Sequence, residues 1–231
     1  MSESRVGAAP VQSGYSKHRI EGLSDGIYAV AMTLLALELK LPEHARIADS
    51  QELVGQLAHL LPQFASWALS FAILGIFWFV HQRVFSRVRV VDTRLLVINL
   101  ASLGFITLHP FCSMLIGSYP GLFAAHVAYA SNMAMISLLS IMQLNHIWSK
   151  PELTDGSLTL PLVRAARFRS WSLLVCAGLS VVVAWFAPPY SSMAFMAMIV
   201  FSRISRRLEQ NSAAAAVPAP VSSSASLKTG S

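Results

Sequence analysis

His18-Arg19-Ile20-Glu21-Gly22-Leu23-Ser24-Asp25-Gly26-Ile27-Tyr28-Ala29-Val30-Ala31-Met32-Thr33-Leu34-Leu35-Ala36-Leu37-Glu38 is an apolar run long enough to enter a bilayer, with a carboxylate near each end. A carboxylate placed within a membrane helix costs roughly 2.5–3.5 kcal/mol even on lenient insertion scales, so Asp25 and Glu38 are candidates for function. At 100° per residue, Leu23, Gly26, Val30, Thr33, Leu37 and Leu41 fall along one stripe, with Leu34 on its flank. Gly22, Ala29 and Ala36, spaced by seven, form a second face with Asp25 and Met32 beside it. Small residues let helix backbones approach closely in lipid, so this second face reads as the packing side and places Asp25 inside the subunit. On the residues alone, the bulky stripe is an ordinary packing or lipid-facing surface. Its one hydroxyl, on Thr33, has a common role in bonding the carbonyl one turn back.

The same apolar character continues along the chain. Of 231 residues, 55% are hydrophobic and only 12% charged, about half the charged fraction of a soluble domain. Further apolar segments fall near 63–81, 95–117, 121–147, 171–187 and 190–204. With the first, at 20–41, they predict an all-α membrane protein with six transmembrane helices per subunit. The last two are short and broken by Pro188-Pro189, and read as a tight helical hairpin. Residues 149–168 read as the longest cytoplasmic connection. The 42–62 loop carries an amphipathic spacing at Leu53, Leu57 and Leu60.

The lysines and arginines orient these spans. Fifteen of the 17 precede the first span, lie between the second and third or the fourth and fifth, or follow the sixth; only Lys40 and Arg46 fall on the other side. The positive-inside rule then places both termini and both basic loops in the cytoplasm of a multi-pass cell-membrane protein. Residues 1–16 are polar, lack the apolar core of a signal peptide, and read as a flexible cytoplasmic segment. Residues 17–208 form the transmembrane domain, and the Ala/Pro/Ser-rich stretch 209–231 reads as a disordered tail.

The basic excess of +6 lies in short clusters between spans, which argues against nucleic acid as a partner. Cys112 and Cys176 sit inside apolar runs and read as small buried hydrophobes. His109, His126 and His146 are scattered without metal-ligand spacing. Neither paired carboxylates nor a nucleophile elbow points to catalysis.

The motif Arg19-x-x-x-Leu23-Ser24-Asp25-Gly26, followed by the Ala-rich stretch, Thr33-Leu34-Leu35 and Leu37-Glu38-x-x-x-Pro42, resembles the first helix of the transmembrane protein 175 family of endosomal/lysosomal potassium channels and their bacterial relatives. Trp78-x-x-His81, Asp92, Leu95-Leu96-x-x-Asn99-Leu100 and Pro110-Phe111 are similar to later motifs of that family, with Tyr129 and Asn132 a looser match. Leu23 stands where the family has Phe, and Val30 is smaller than the Ile or Leu usual at its position.

The resemblance implies a bacterial-type, single-motif member. It would be a passive potassium-permeable channel without catalysis or cofactor, potassium being the permeant ion. It implies a homotetramer whose first helices line a central pore, with Val30 at the narrowest apolar ring, Thr33 at the family's threonine, Leu37 at the next ring and Leu34 beside them. A narrow apolar ring gates by dewetting. Glu38, near the outer mouth, either gathers cations or pairs with Lys40 or Arg46. Arg19, Ser24, Asp25, Gly26, Trp78, His81 and Asn99 form the structural motif, and buried polar groups of this kind need one another as partners. For His81 a place among lipid headgroups is the alternative. A different function class also stays open: a proton- or cation-coupled secondary transporter using Asp25 or Glu38 as a relay. The lack of a broken mid-membrane helix or inverted repeat argues against it.

Overall fold

The structure, a computed structural model, describes residues 15–41 and 49–188. Among the described residues six α-helices run in chain order: α1 (Lys17–Leu37), α2 (Ser50–His59), α3 (Leu61–Phe85), α4 (Thr93–Ser118), α5 (Phe123–Ser149) and α6 (Leu160–Phe186). All but α2 are long and apolar enough to cross a membrane. The sixth span expected at 190–204 and the tail at 209–231 lie outside the described residues, as do residues 1–14.

α4 is the hub of the bundle. It packs on α1, α3 and α5, while α6 lies along the far side of α5. Its buried face, from Leu95 and Asn99 through Leu103 and Ile106 to Ile116, repeats at helical spacing. One core cluster joins Tyr28, Ile73, Leu103, Met133 and Leu173 across the five long helices. A second, around Phe85, Val91, Leu95, Ile147 and Val163, closes the end that carries the basic loops.

That basic end is stapled by short backbone pairings. Tyr15 pairs with Val91 and Val88 with Thr154 as isolated antiparallel bridges. The amides of Arg89 and Val90 donate to the Leu153 carbonyl, and Arg87 reaches the Ser157 carbonyl at 2.9 Å. The chain before α1, the α3–α4 loop and the α5–α6 connection therefore meet at one end, as an even alternation of spans requires. Tyr15, at the edge of the segment expected to be flexible, is part of this staple.

Two expectations need correction. α6 starts at Leu160, eleven residues before the expected span at 171–187, so the connection from α5 is short and contains a 3-10 turn at Pro151–Leu153. Arg164, Arg167 and Arg169 depress the hydropathy of its first turns, but the bundle accommodates them. Arg167 donates to Asn145 on α5 at 2.8 Å, and Arg169 is buried. α1, for its part, buries a face other than the expected one of Gly22, Ala29 and Ala36. The amphipathic stretch in the 42–62 loop is helical, as α2. Asp49 caps it by accepting from the amides of Gln51 and Glu52 at 2.9 and 2.8 Å, which satisfies donors that the first turn leaves open.

Candidate functional site

α1 buries Ile20, Ser24, Tyr28, Ala31 and Leu35 against α3 and α4. These residues differ by three or four and form one face. Gly22, Ala29 and Ala36 are instead exposed on the chain, so the expected packing side is wrong. Small residues mark a face that permits close approach, but they do not say to which neighbour. Here Tyr28 fills the space against the chain's own helices, and Ser24 supplies a hydrogen-bond acceptor. The bulky stripe faces away from the bundle as well: Val30 is 56% exposed and Leu37 63%, with Leu23, Thr33 and Leu34 also exposed. More than half of α1's circumference therefore has no partner among the described residues.

Thr33 hydroxyl donates to the Val30 carbonyl at 2.8 Å, the back-bond expected of threonine in a membrane helix. This commits its one hydrogen and leaves the oxygen lone pairs on the exposed side. Glu38 ends α1 and lines a cleft of about 10 Å³ with Gln63, Ser66, Trp67 and Ser118. Glu38 makes no ion pair among the described residues, and Arg46 lies outside them.

Asp25 sits at the edge of the packed face. Its Oδ1 accepts from Trp78 Nε1 at 2.9 Å and from Gln82 Nε2, both on α3. One residue earlier, Ser24 starts a second, more deeply buried set of bonds. Asn99 Nδ2 on α4 donates to Ser24 Oγ at 3.1 Å. Asn99 Oδ1 accepts from Gln143 Nε2 on α5 at 3.0 Å and lies 3.0 Å from His81 Nε2 on α3. An amide oxygen only accepts, so His81 carries its proton on Nε2. Its ring stacks on Phe85 at 4.3 Å, which holds it in the bundle and not among headgroups. The motif residues thus form two adjoining sets that fasten α1 to α3 and to α4. Arg19 is exposed and outside both, and Gly26 faces away from them with open space where a side chain would project. Gln82 and Gln143 belong to the site but were not expected from the sequence. Both are isolated glutamines on apolar helices, where no spacing signal marks a partner.

A further polar set ties the other half of the bundle. Ser70 Oγ lies 2.8 Å from Ser113 Oγ and 3.2 Å from the Tyr129 hydroxyl, and Asn132 Nδ2 donates to His109 Nδ1 at 3.4 Å. At the basic end, Asp92 caps α4 by accepting from the Leu95 amide at 2.8 Å, and it also holds Lys150 and His146, each at 2.9 Å.

Burial pulls the Asp92 carboxyl upward, but the Leu95 amide, Lys150 and His146 outweigh it and hold the group at about 2, below its ordinary 3.8. A depressed folded-state value means that the contribution is complete above pH about 4 and is lost as pH falls through about 2. Asp92→Asn keeps a competent cap but loses the charge. It is expected to lower stability by on the order of 1–2 kcal/mol at neutral pH and to remove this part of the acid limb, with Asp92→Ala costing more. Thermal unfolding in detergent between pH 2 and 7 measures both.

The geometry has known counterparts. A potassium channel of Chamaesiphon minutus is 34% identical over 185 residues, covering 77% of this chain and 89% of that protein. The chain belongs to the TMEM175 family. The family model for the endosomal/lysosomal potassium channel TMEM175 matches residues 19–110, the segment from the α1 motif to Pro110. A potassium channel of Streptomyces collinus is 34% identical over 159 residues, 65% of this chain and 74% of that one. The crystal structure of a lysosomal potassium-selective channel TMEM175 homolog from Chamaesiphon minutus superposes with a TM-score of 0.67 at 30% identity, over 82% of this chain and 97% of that one. TMEM175 is a family of ion channels and not of enzymes, so this member is a multi-pass membrane protein without catalysis. Its relatives are channels and not secondary transporters, which removes the relay alternative for Asp25 and Glu38.

Proposed function

We propose that this TMEM175 member is a potassium-permeable channel whose pore is formed by the exposed face of α1 from several copies of the chain. The observation that carries this reading is the unpartnered face of α1. Val30, Thr33 and Leu37 share one exposed stripe, while a polar network on the opposite side fixes the helix to its own subunit. A helix exposed on its bulky stripe and its small-residue face has room for both a pore axis and a neighbouring subunit. One chain supplies one such helix, so a central pore needs a cyclic assembly, and the homotetramer is the form we propose.

In this arrangement Val30 forms a narrow apolar ring that ions cross with loss of water, and Leu37 forms a second ring. Leu34 flanks the path. The Thr33 oxygen, its hydrogen held by the Val30 carbonyl, presents lone pairs to a dehydrating cation. Glu38 raises the local cation concentration near the outer mouth. Potassium is the permeant ion and no resident cofactor is needed. The distribution of basic residues supports a cell-membrane orientation with both termini in the cytoplasm.

Purified protein reconstituted in liposomes tests the reading. Currents are expected to reverse near the potassium equilibrium potential under opposed potassium and sodium gradients, without proton coupling, and native mass spectrometry of the same preparation should give four copies. A conducting monomer, or flux that requires a proton gradient, would overturn it.

A further inference from the structure

Behind the buried face of α1 lies a cavity of about 30 Å³, bordered by all five long helices. This is room for two or so water-sized groups. Arg169 of α6, only 6% exposed, lines it together with Ser170, Ser102, Ser140, Tyr28 and His81. No carboxylate is among the described lining residues. Asp25, the acid of the neighbouring network, is taken up by Trp78 and Gln82 on α3. The polar lining is therefore dominated by donors: a guanidinium and four hydroxyls. A guanidinium has five N–H groups, so a partner elsewhere does not exhaust it. Gln143 also lines the cavity and adds an acceptor oxygen, its amide nitrogen being committed to Asn99, whereas His81 Nδ1 is closed off in the packing and has no partner among the described residues.

We infer that this cavity is a binding site for a small monovalent anion of the size of chloride, held by Arg169 and the serine hydroxyls. A charge in a low-dielectric interior attracts an opposite charge far more strongly than it does in water. Hydroxyl donors around a guanidinium suit a spherical acceptor, and the volume admits one halide with one water. That water can donate one hydrogen to the Gln143 amide oxygen and the other to the anion, which satisfies an acceptor in a lining rich in donors. The site is independent of the pore: it lies between α1 and α6, on the side of α1 opposite Val30 and Thr33. Its occupancy would strengthen the packing of Tyr28, and so of α1, against the bundle.

The full-length protein tests this directly. Crystals grown in bromide should show an anomalous peak inside the cavity, beside Arg169 and Ser170. In detergent at constant ionic strength, replacing gluconate by chloride or bromide should raise the unfolding temperature in a saturable way. Arg169→Gln should abolish that response. If this variant does not fold, Ser140→Ala combined with Ser170→Ala retains the guanidinium and should shift the halide midpoint to higher concentration. A cavity containing water only, with no anomalous peak, would overturn the inference. So would an unfolding temperature that is the same in gluconate and halide.

Discussion

Val30→Asn should raise single-channel current, by about tenfold if hydrating the apolar ring lowers the ion's barrier by about 1.4 kcal/mol. Val30→Leu should reduce it, because the ring narrows. Neither change touches the subunit core, since Val30 is 56% exposed and lies opposite the buried Tyr28. Yield and unfolding temperature of the variants should therefore stay near the parent's. Thr33→Val removes the oxygen that would take the place of ion hydration, and the reversal potential under mixed potassium and sodium should move toward the sodium potential. A lipid-facing or packing stripe gives a different pattern: Val30→Asn would lower the amount of assembled protein and leave the current per channel unchanged. Unchanged currents in all three variants, at normal assembly, would take α1 out of the ion path.

The direction of that stripe was readable before the fold, because a 3.6-residue period is a local property of the sequence. The packing face was not. Gly22, Ala29 and Ala36 obey the same small-residue rule whether the helix that approaches belongs to the same chain or to another. Only the burial of Ser24, Tyr28 and Leu35 decides between the two. The start of α6 was hidden for a related reason. Hydropathy weighs Arg164, Arg167 and Arg169 as solvent-seeking wherever they point, whereas Asn145 and the interior cavity receive two of them. In the site, Trp78 and His81 were visible because a motif marks them. Gln82 and Gln143 were not, since their meaning lies in contacts 57 residues from Asp25 and 44 from Asn99.

The largest loss of stability should come from Asn99→Leu. Asn99 is the only side chain bonded to Ser24, His81 and Gln143 together among the described residues, and it is fully buried. A leucine there leaves the Gln143 amide and the His81 Nε2–H without an acceptor and frees Ser24, and each stranded buried group costs about 1–3 kcal/mol. A total on the order of 3–5 kcal/mol should prevent recovery of assembled protein or lower its unfolding temperature sharply. The adjoining acid behaves differently. Asp25 accepts both of its bonds on one oxygen, so Asp25→Asn retains an acceptor for Trp78 and Gln82 and loses only the charge. Asp25→Leu strands both donors. Stability should therefore fall in the order parent, Asp25→Asn, Asp25→Leu, Asn99→Leu, while the potassium-to-sodium preference of whatever assembles stays unchanged. Asp25 lies between the buried face and the small-residue face of α1, away from Val30 and Thr33. If Asp25→Asn assembled normally yet exchanged potassium preference for sodium preference, the carboxylate would belong to the ion path and the assignment of the faces would be reversed.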